Sequence, residues 1–215
     1  MSDTATLDRL EATLAEDELA RARRFISEQD RCHYVAAHGV LRNVLGRYLE
    51  RAPQSIEFVR GPHGKPAIAS SDSQHPLRFN LSHSQGMAII GVVLTREIGV
   101  DLELVRPEFA SGEIATRYFS QGEVAELAKL PDELKAEGFF LCWTRKEAYI
   151  KARGEGLSLS LKSFSVSLTP GAPAVLDSQD HSKWCMHSLE FDSGYVAAMV
   201  VEGNDLHVRR LCWTL

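Results

Sequence analysis

The feature that most constrains this 215-residue chain is an order of elements, helices and then short strands, that occurs twice. Apolar residues recur at helical spacing from about residue 16 to residue 50, in two pieces, and strand-like runs follow, among them "LRFNLS", "MAIIGVVLT" and "IGVDLEL". Helical signal returns over 112–130 and 134–153, and "SFSVSL", "WCMHSLEF", "GYVAAMVVE" and "LHVRRL" are again typical of strands. Helices followed by strands favour helices packed on antiparallel sheets, so the chain is predicted to have an α+β fold.

Short echoes between the two halves extend this prediction. "RRFIS" at Arg23 resembles "RYFSQ" at Arg117, and "GMAIIGVVL" resembles the later "GYVAAMVVE", in the same order along the chain. We therefore predict two similar lobes, residues 1–104 and 105–215, each with helices packed on a small antiparallel sheet. Because concave sites are common between lobes, we expect a functional site in the cleft that they form.

Composition and charge exclude several classes of protein. With 44% hydrophobic residues the chain can bury a core, yet it has no apolar run that could span a bilayer, and its first residues are too acidic and polar for a signal or transit peptide. The formal net charge of -5 argues against nucleic-acid binding. Four cysteines without paired spacing predict neither a zinc site nor a disulfide framework. We expect a soluble cytoplasmic protein with no nucleic-acid or membrane partner.

Two carboxylates stand two residues apart in the run "IGVDLE". In a strand, Asp101 and Glu103 lie on one face while Val100 and Leu102 lie on the other. Neighbouring carboxylates repel each other unless a positive charge lies between them, and a hard cation such as magnesium takes oxygen ligands. On their own, the two residues favour an ordinary strand that alternates core and solvent positions.

A predicted helix in "WTRKEAYIKARGEGL" adds a third carboxylate. Trp143, Glu147 and Lys151 share one stripe at the helical step of four. Glu147 could complete a metal site while Lys151 meets a phosphate oxygen, and Trp143 is expected to anchor the stripe in the core. The alternative is an intrahelical pair between Glu147 and Lys151, which contributes only about 0.3–0.5 kcal/mol.

Two further stretches carry groups that suit a phosphate ligand. In "NLSHS", Ser82, His83 and Ser84 are predicted just beyond a strand, where a hydroxyl and an imidazole can donate hydrogen bonds to phosphate. In "GPHGKP", Gly64 lets the backbone approach a ligand closely, Lys65 brings a charge and Pro66 stiffens the loop. Each stretch alone also fits an ordinary turn.

Taken in order, "GKP", "NLSHS", "GVDLE" and "WTRKEAYIKARGEGL" resemble the signature motifs of the 4'-phosphopantetheinyl transferases, specifically the long, Sfp-type monomeric class. The N-terminal "ARARRFISEQDRCHYVAAHGVLR" is also similar to that family. The resemblance implies a pseudo-dimeric fold and an enzyme that moves the phosphopantetheine arm of coenzyme A onto a serine of an apo acyl or peptidyl carrier protein. Adenosine 3',5'-bisphosphate is the other product, and the carrier's pathway, from fatty acids to siderophores, is left open.

The resemblance also implies roles for individual residues. It makes Asp101, Glu103 and Glu147 the ligands of Mg²⁺, with Mn²⁺ as the alternative metal. The implied catalytic residues are Glu147, Lys151 and His83, with Glu147 as the base for the carrier serine, acting directly or through a metal-bound water. The implied coenzyme A contacts are Arg21, Gly64, Lys65, Pro66, Ser82, His83 and Lys151.

The chain departs from the family pattern near its N-terminus. Arg21 falls where the family has a basic residue for the 3'-phosphate of coenzyme A, but Glu18 occupies a second position where a basic residue is expected. Arg24, Arg31 and His33 are therefore alternative 3'-phosphate contacts.

Two other functions use the same residues. A magnesium-dependent nucleotide pyrophosphate hydrolase needs the carboxylates and the lysine but no protein acceptor, and a non-catalytic module would only hold coenzyme A or a carrier.

Lys146, beside the stripe, is expected to reach a phosphate or the carrier.

Overall fold

The computed structural model describes residues 4–69, 76–191, 194–204 and 206–213. The described helices are α1 (Thr4–Glu11), α2 (Glu16–Ala22), α3 (Glu28–Leu49), α4 (Gly112–Tyr118), α5 (Gln121–Lys129) and α6 (Asp132–Arg153). The described strands are β1 (Phe58–Arg60), β2 (Pro66–Ile68), β3 (Leu77–Ser84), β4 (Met87–Leu94), β5 (Ile98–Leu104), β6 (Ser165–Val166), β7 (Leu176–Asp177), β8 (Trp184–Glu190) and β9 (Tyr195–Glu202). None of these helices has the length and apolar character needed to cross a bilayer.

The predicted α+β class and the order of helices and then strands in each half are confirmed. The helix α6 ends at Arg153 because Gly154 adopts a left-handed conformation, with φ 66°, and its amide caps the carbonyl of Ile150. The strand predicted at "LHVRRL" is wrong, since this segment is irregular and its side chains from His207 onward are exposed. The predicted loop "SSDSQHP" lies outside the described residues except for Pro76.

The sheets are small and antiparallel. β3 and β4 form a hairpin, while β5, β9 and β8 form a three-stranded sheet in that order, in which Asp101 lies opposite Ala198. β9 is therefore the central strand of this sheet, and β5 is an edge strand that pairs with β9 near the other end of the chain.

The chain divides into two compact units, one of residues 1–58 with 207–215 and the other of Val59–Leu206. In the smaller unit, Leu10 and Leu14 cluster with Tyr34 and Val35 of α3. In the larger unit, the core surrounds α6 and β9. This division does not follow the predicted limits 1–104 and 105–215, because β5 pairs with β9. The lobe boundary remains a prediction about the internal repeat.

The close packing of β5 on α6 positions the candidate site. Gly99 faces the backbone of α6 so closely that a Cβ there would collide with the carbonyl of Ala148 and the amide of Ala152. Only glycine permits this approach. The two carboxylates of β5 are thereby brought beside the last turns of α6.

Candidate functional site

A cavity of about 350 Å³ lies where β3, β5 and α6 meet. Its lining residues are Leu81, Ser82, His83, Asp101, Glu103, Trp143, Glu147 and Lys151. The structure therefore brings together all three predicted metal ligands, the predicted phosphate lysine, and Ser82 and His83 of "NLSHS", whereas Ser84 does not line the cavity.

Asp101 is the most enclosed acid of this cavity, with 4% of its surface exposed. Its Oδ1 accepts hydrogen bonds from Lys151 Nζ at 2.6 Å and from Ser82 Oγ at 2.9 Å. Burial raises the pKa of the Asp101 carboxyl, although Lys151 and Ser82 act in the opposite direction. Its Oδ2 is buried and has no hydrogen-bond partner among the described residues, so this oxygen is available to a ligand.

Glu103 lies two residues along β5, at the same side of the strand. Ser84 Oγ donates a hydrogen bond to Glu103 Oε2 at 2.7 Å. Burial raises the pKa of Glu103, and the charge of Asp101 adds to the rise, while Ser84, Arg106 and Lys151 lower it. The two carboxylates therefore repel each other, as the spacing in the sequence predicts.

Glu147 enters the cavity from α6. Burial raises its pKa, and the charges of Asp101 and Glu103 raise it further. Within the described part of the chain Glu147 has no hydrogen bond or ion pair. The alternative of an intrahelical pair between Glu147 and Lys151 is not observed, because the ammonium of Lys151 binds Asp101 instead.

The three carboxylates supply the oxygen donors that Mg²⁺ and Mn²⁺ prefer, and the unpartnered Asp101 Oδ2 fits a cation. No three acidic, histidine or cysteine side chains among the described residues are already arranged as a metal-binding cluster. The acids share one cavity without converging on one point, so cation binding would require their side chains to turn towards each other.

Ser82, His83 and Ser84 lie within β3 rather than beyond a strand, because β3 continues to Ser84. The hydroxyl of Ser82 is buried, and it accepts hydrogen bonds from Lys151 Nζ at 3.1 Å and from the Leu102 amide at 3.3 Å while donating to Asp101. His83 is exposed at the cavity. Ser82 therefore organises the charged groups, and His83 presents its ring to solvent.

The "GKP" loop is not part of this cavity. Lys65 Nζ donates to Glu97 Oε2 at 2.7 Å and to the carbonyl of Ala152 at 2.9 Å, which ties the loop to the end of α6. Lys65 and Pro66 line a second cavity of about 210 Å³. Gly64 has φ 86°, a conformation that favours glycine.

The N-terminal basic residues belong to the smaller unit. The guanidinium of Arg21 lies 5.6 Å from the centre of the Tyr34 ring. Glu18 is buried, accepts a hydrogen bond from the Ala15 amide at 3.0 Å and pairs with Arg42 and His38. This departure from the family pattern thus has a structural role in holding α2 on α3.

Lys146 is the clearest error of the sequence interpretation. Its side chain is 1% exposed and bonds Glu123 at 2.8 Å and the carbonyls of Leu161 and Phe164 at 2.7 and 2.8 Å. It reaches neither a phosphate site nor a carrier surface, since all its donors are used inside the core. Trp143 is half-buried against Phe139, as predicted for an anchor of the helix.

Sequence reasoning missed the role of Ser84, which was quoted within "NLSHS" without an assigned partner. Its only signal is the alternation of Asn80, Ser82 and Ser84, three small polar residues at a spacing of two. In a strand that spacing places them on one side.

The sequence is similar to those of known proteins along most of its length. The sequence model of the 4'-phosphopantetheinyl transferase superfamily matches residues 97–200, and a model described as "4'-phosphopantetheinyl transferase, N-terminal" matches residues 3–94. The 4'-phosphopantetheinyl transferase HetI of Nostoc sp. is 43% identical over 197 residues, which are 92% of this chain and 82% of HetI. The 4'-phosphopantetheinyl transferase Sfp of Bacillus subtilis is 32% identical over 199 residues, 92% of this chain and 86% of Sfp.

Solved structures also match. The holo-[acyl-carrier-protein] synthase of Thermotoga maritima has a TM-score of 0.37 and 24% identity, covering 51% of this chain and 64% of that protein. The two sequence models meet between residues 94 and 97, in the connection between β4 and β5.

Proposed function

This chain belongs to the 4'-phosphopantetheinyl transferase family, and we infer from that premise that it moves 4'-phosphopantetheine from coenzyme A to a serine of an apo carrier protein. The products are the holo carrier and adenosine 3',5'-bisphosphate. Coenzyme A is therefore a co-substrate, and the carrier is an acyl or a peptidyl carrier domain.

We propose that the cavity of β3, β5 and α6 is the active site. The observation that carries this assignment is the buried, unpartnered Oδ2 of Asp101 beside two further carboxylates and an ammonium. Asp101, Glu103 and Glu147 would hold Mg²⁺, or Mn²⁺ as the alternative. Such a cation supplies positive charge to the pyrophosphate oxygens of coenzyme A.

The residues of the chain would perform the remaining steps. The serine oxygen of the carrier attacks the β-phosphorus of coenzyme A, a new P–O bond forms, and the P–O bond to adenosine 3',5'-bisphosphate breaks. Lys151 and His83 would neutralise charge on the phosphoryl oxygens, and a positioned donor of this kind is worth about 10²–10³ in rate.

Glu147 is the proposed base that takes the serine proton. In the cation-free protein its pKa is raised by burial and by the neighbouring acids. It also has no hydrogen bond to give up among the described residues. Transfer directly to Glu147 and transfer through a water molecule both satisfy these observations.

The coenzyme A contacts are a further part of the proposal. They comprise Arg21, Gly64, Lys65, Pro66, Ser82, His83 and Lys151. Lys65 supports this assignment through its tie to the end of α6, the helix that also carries Lys151. A contact by the Ser82 hydroxyl would replace one of the three hydrogen bonds that it already makes.

We also propose that the protein acts as a monomer in the cytoplasm. All four cysteines are free thiols, in agreement with a reducing compartment.

The test is to incubate the protein with coenzyme A, Mg²⁺ and an apo carrier domain and to follow the carrier by intact mass. The carrier should gain one phosphopantetheine, and Glu147→Gln should lower the rate by about 10²–10³. Glu133→Gln, on an exposed turn of the same helix, is the matched control and should keep full activity. Release of adenosine 3',5'-bisphosphate without any carrier would instead identify a pyrophosphate hydrolase, and binding of coenzyme A without turnover would identify a binding module.

A further inference from the structure

β3 meets β5 through side chains rather than through a backbone ladder. Asn80 Oδ1 accepts a hydrogen bond from the Val100 amide at 2.8 Å, and the Oγ of Ser82 and of Ser84 accept from the next alternate amides of β5 at 3.3 and 3.4 Å. The opposite edge of β5 pairs with β9. Three alternating polar side chains of β3 thus replace the carbonyls of a neighbouring strand, and we call these three residues the polar seam.

Two members of the polar seam also hold an acid. Ser82 Oγ donates to Asp101 Oδ1 at 2.9 Å, and Ser84 Oγ donates to Glu103 Oε2 at 2.7 Å. In both cases the serine accepts from the amide of the residue that follows the acid. Because a hydroxyl has one hydrogen to donate and lone pairs to accept, each serine fixes the backbone and the carboxylate of β5 together.

We propose that Ser84 is a positioning residue for Glu103, holding Oε2 so that Oε1 is directed to the cation of the active site. The inference rests on the proposed function, in which Glu103 is a metal ligand. Ser84 is 9% exposed, and its two described hydrogen bonds both go to β5. It therefore acts on the site through Glu103 alone.

Substitution of Ser84 tests the positioning of an acid more specifically than substitution of Ser82. The hydroxyl of Ser82 also accepts a hydrogen bond from Lys151, so its removal would disturb a second charged group. Asn80 provides the matched control, because it is buried in the same seam and bonds a backbone amide of β5 but no carboxylate of the described cavity. Loss of Asn80 weakens the seam without freeing an acid.

The experiment measures binding of Mn²⁺ to the full-length protein without coenzyme A, from the electron paramagnetic resonance signal of the free ion. Ser84→Ala should weaken Mn²⁺ binding by about 10–100-fold, the usual effect of losing a partner that orients a metal ligand. Ser84→Thr keeps the hydroxyl and should restore most of the affinity. Asn80→Ala should lower the thermal stability while leaving Mn²⁺ affinity close to that of the wild type.

Kinetics give a second readout. Ser84→Ala should raise the Mg²⁺ concentration at half-maximal rate and leave kcat at saturating Mg²⁺ largely unchanged, whereas a merely structural loss would lower the folded fraction without altering the metal dependence. If Ser84→Ala does not fold, Ser84→Cys, whose thiol is a weak donor of similar size, replaces it.

The outcomes separate the two proposals. Wild-type Mn²⁺ binding that Ser84→Ala retains, or that Asn80→Ala loses to the same extent, would overturn the positioning role alone. A wild-type protein that transfers phosphopantetheine but whose Mn²⁺ binding is unaffected by Glu103→Gln would overturn the metal assignment, and the role of Ser84 with it.

Discussion

Helix α6 carries two lysines that each pair with an acid. The two pairs differ in burial and in whether all of their polar atoms are hydrogen-bonded. Lys146 and Glu123 have side chains that are 1% and 2% exposed. Lys151 is 29% exposed in its pair with Asp101, which is 6% exposed. The first pair lies in the core of the larger unit, and the second lines the candidate active site.

The core pair is complete. Lys146 bonds Glu123 and two backbone carbonyls, while Glu123 also accepts hydrogen bonds from the amides of Ser120 and Val166 at 2.7 Å each. Such a pair joins α5 and α6 to the segment after α6. Each buried charge has its partners, which is the condition under which a buried ion pair is tolerated.

The cavity pair is incomplete. Asp101 keeps one oxygen without a partner among the described residues, and its charge adds to the rise in the pKa that burial causes at Glu103 and at Glu147. Unsatisfied, mutually repelling charges cost stability, and they persist where a ligand relieves them. Ionic residues of the same types on one helix therefore stabilise the fold where all their polar atoms are bonded, and leave an atom open to a ligand where they are not.

The largest expected difference between the two pairs is in the free energy of unfolding when the acid of each pair is replaced. Glu123→Gln leaves Lys146 charged and enclosed, and it turns an amide NH₂ towards backbone amides that need an acceptor. We expect the free energy of unfolding to fall by about 3–5 kcal/mol. Asp101→Asn leaves Lys151 partly in water, so its cost should stay below about 1 kcal/mol. Urea titration of both variants measures the difference.

Activity should rank the same two variants in the opposite order. Asp101→Asn should lower the transfer rate by a hundredfold or more, about 2.7 kcal/mol, while Glu123→Gln keeps its rate per folded molecule. The double variant Glu123→Gln/Lys146→Met should recover part of the lost stability, because no buried charge remains. Equal destabilisation by Glu123→Gln and Asp101→Asn would mean that the two pairs do not differ in the way described.

A smaller effect is expected where the two regions are joined, at the contact of β5 with α6. Gly99→Ala would push β5 from the backbone of α6, at a cost of about 1–3 kcal/mol, and would move Asp101 relative to Lys151. Unlike the core substitution, it should lower both stability and kcat, measured by urea titration and carrier loading. Gly112→Ala, where a Cβ meets no atom within 4 Å, is the matched control. Full activity in Gly99→Ala would show that the spacing of β5 and α6 does not set the site.

Local chemistry in the sequence was sufficient to predict parts of this picture. The two acids of "IGVDLE" share a strand, and Gly154 ends α6, because both depend on the spacing and conformation of neighbouring residues. The motif Ser120 to Glu123 forms a capping box, yet it gives no sign that Glu123 also meets Lys146, 23 residues away. The tertiary partner of a side chain such as Glu123 depends on how distant segments of the chain pack together.

The pairing of strands could not be predicted from local sequence patterns. β5 and β9 are separated by about ninety residues, and their alternating apolar patterns would suit several partners. The polar seam was equally hidden, because a side chain that replaces a backbone carbonyl has no periodicity of its own. Consequently the sequence predicted most of the charged residues that line the cavity, but not the hydrogen bonds that orient them.

The smallest expected effect is the pH dependence of stability in Glu147→Gln. The pKa of Glu147 is raised in the folded protein above its usual value of 4.5, so folding favours the protonated form. The stability that this group contributes is present below pH 4.5 and is lost as the pH rises through the raised pKa. Glutamine does not titrate, so Glu147→Gln should become the more stable protein as the pH rises above 4.5, by a fraction of the change expected for Glu123→Gln.

Urea titrations of both proteins across this range measure the difference, and added Mg²⁺ should cancel it by neutralising the acids of the wild type. A difference in the free energy of unfolding that is constant with pH would show that the neighbouring acids do not raise the pKa of Glu147. The charges of the cavity would then be as fully compensated as those of the core pair.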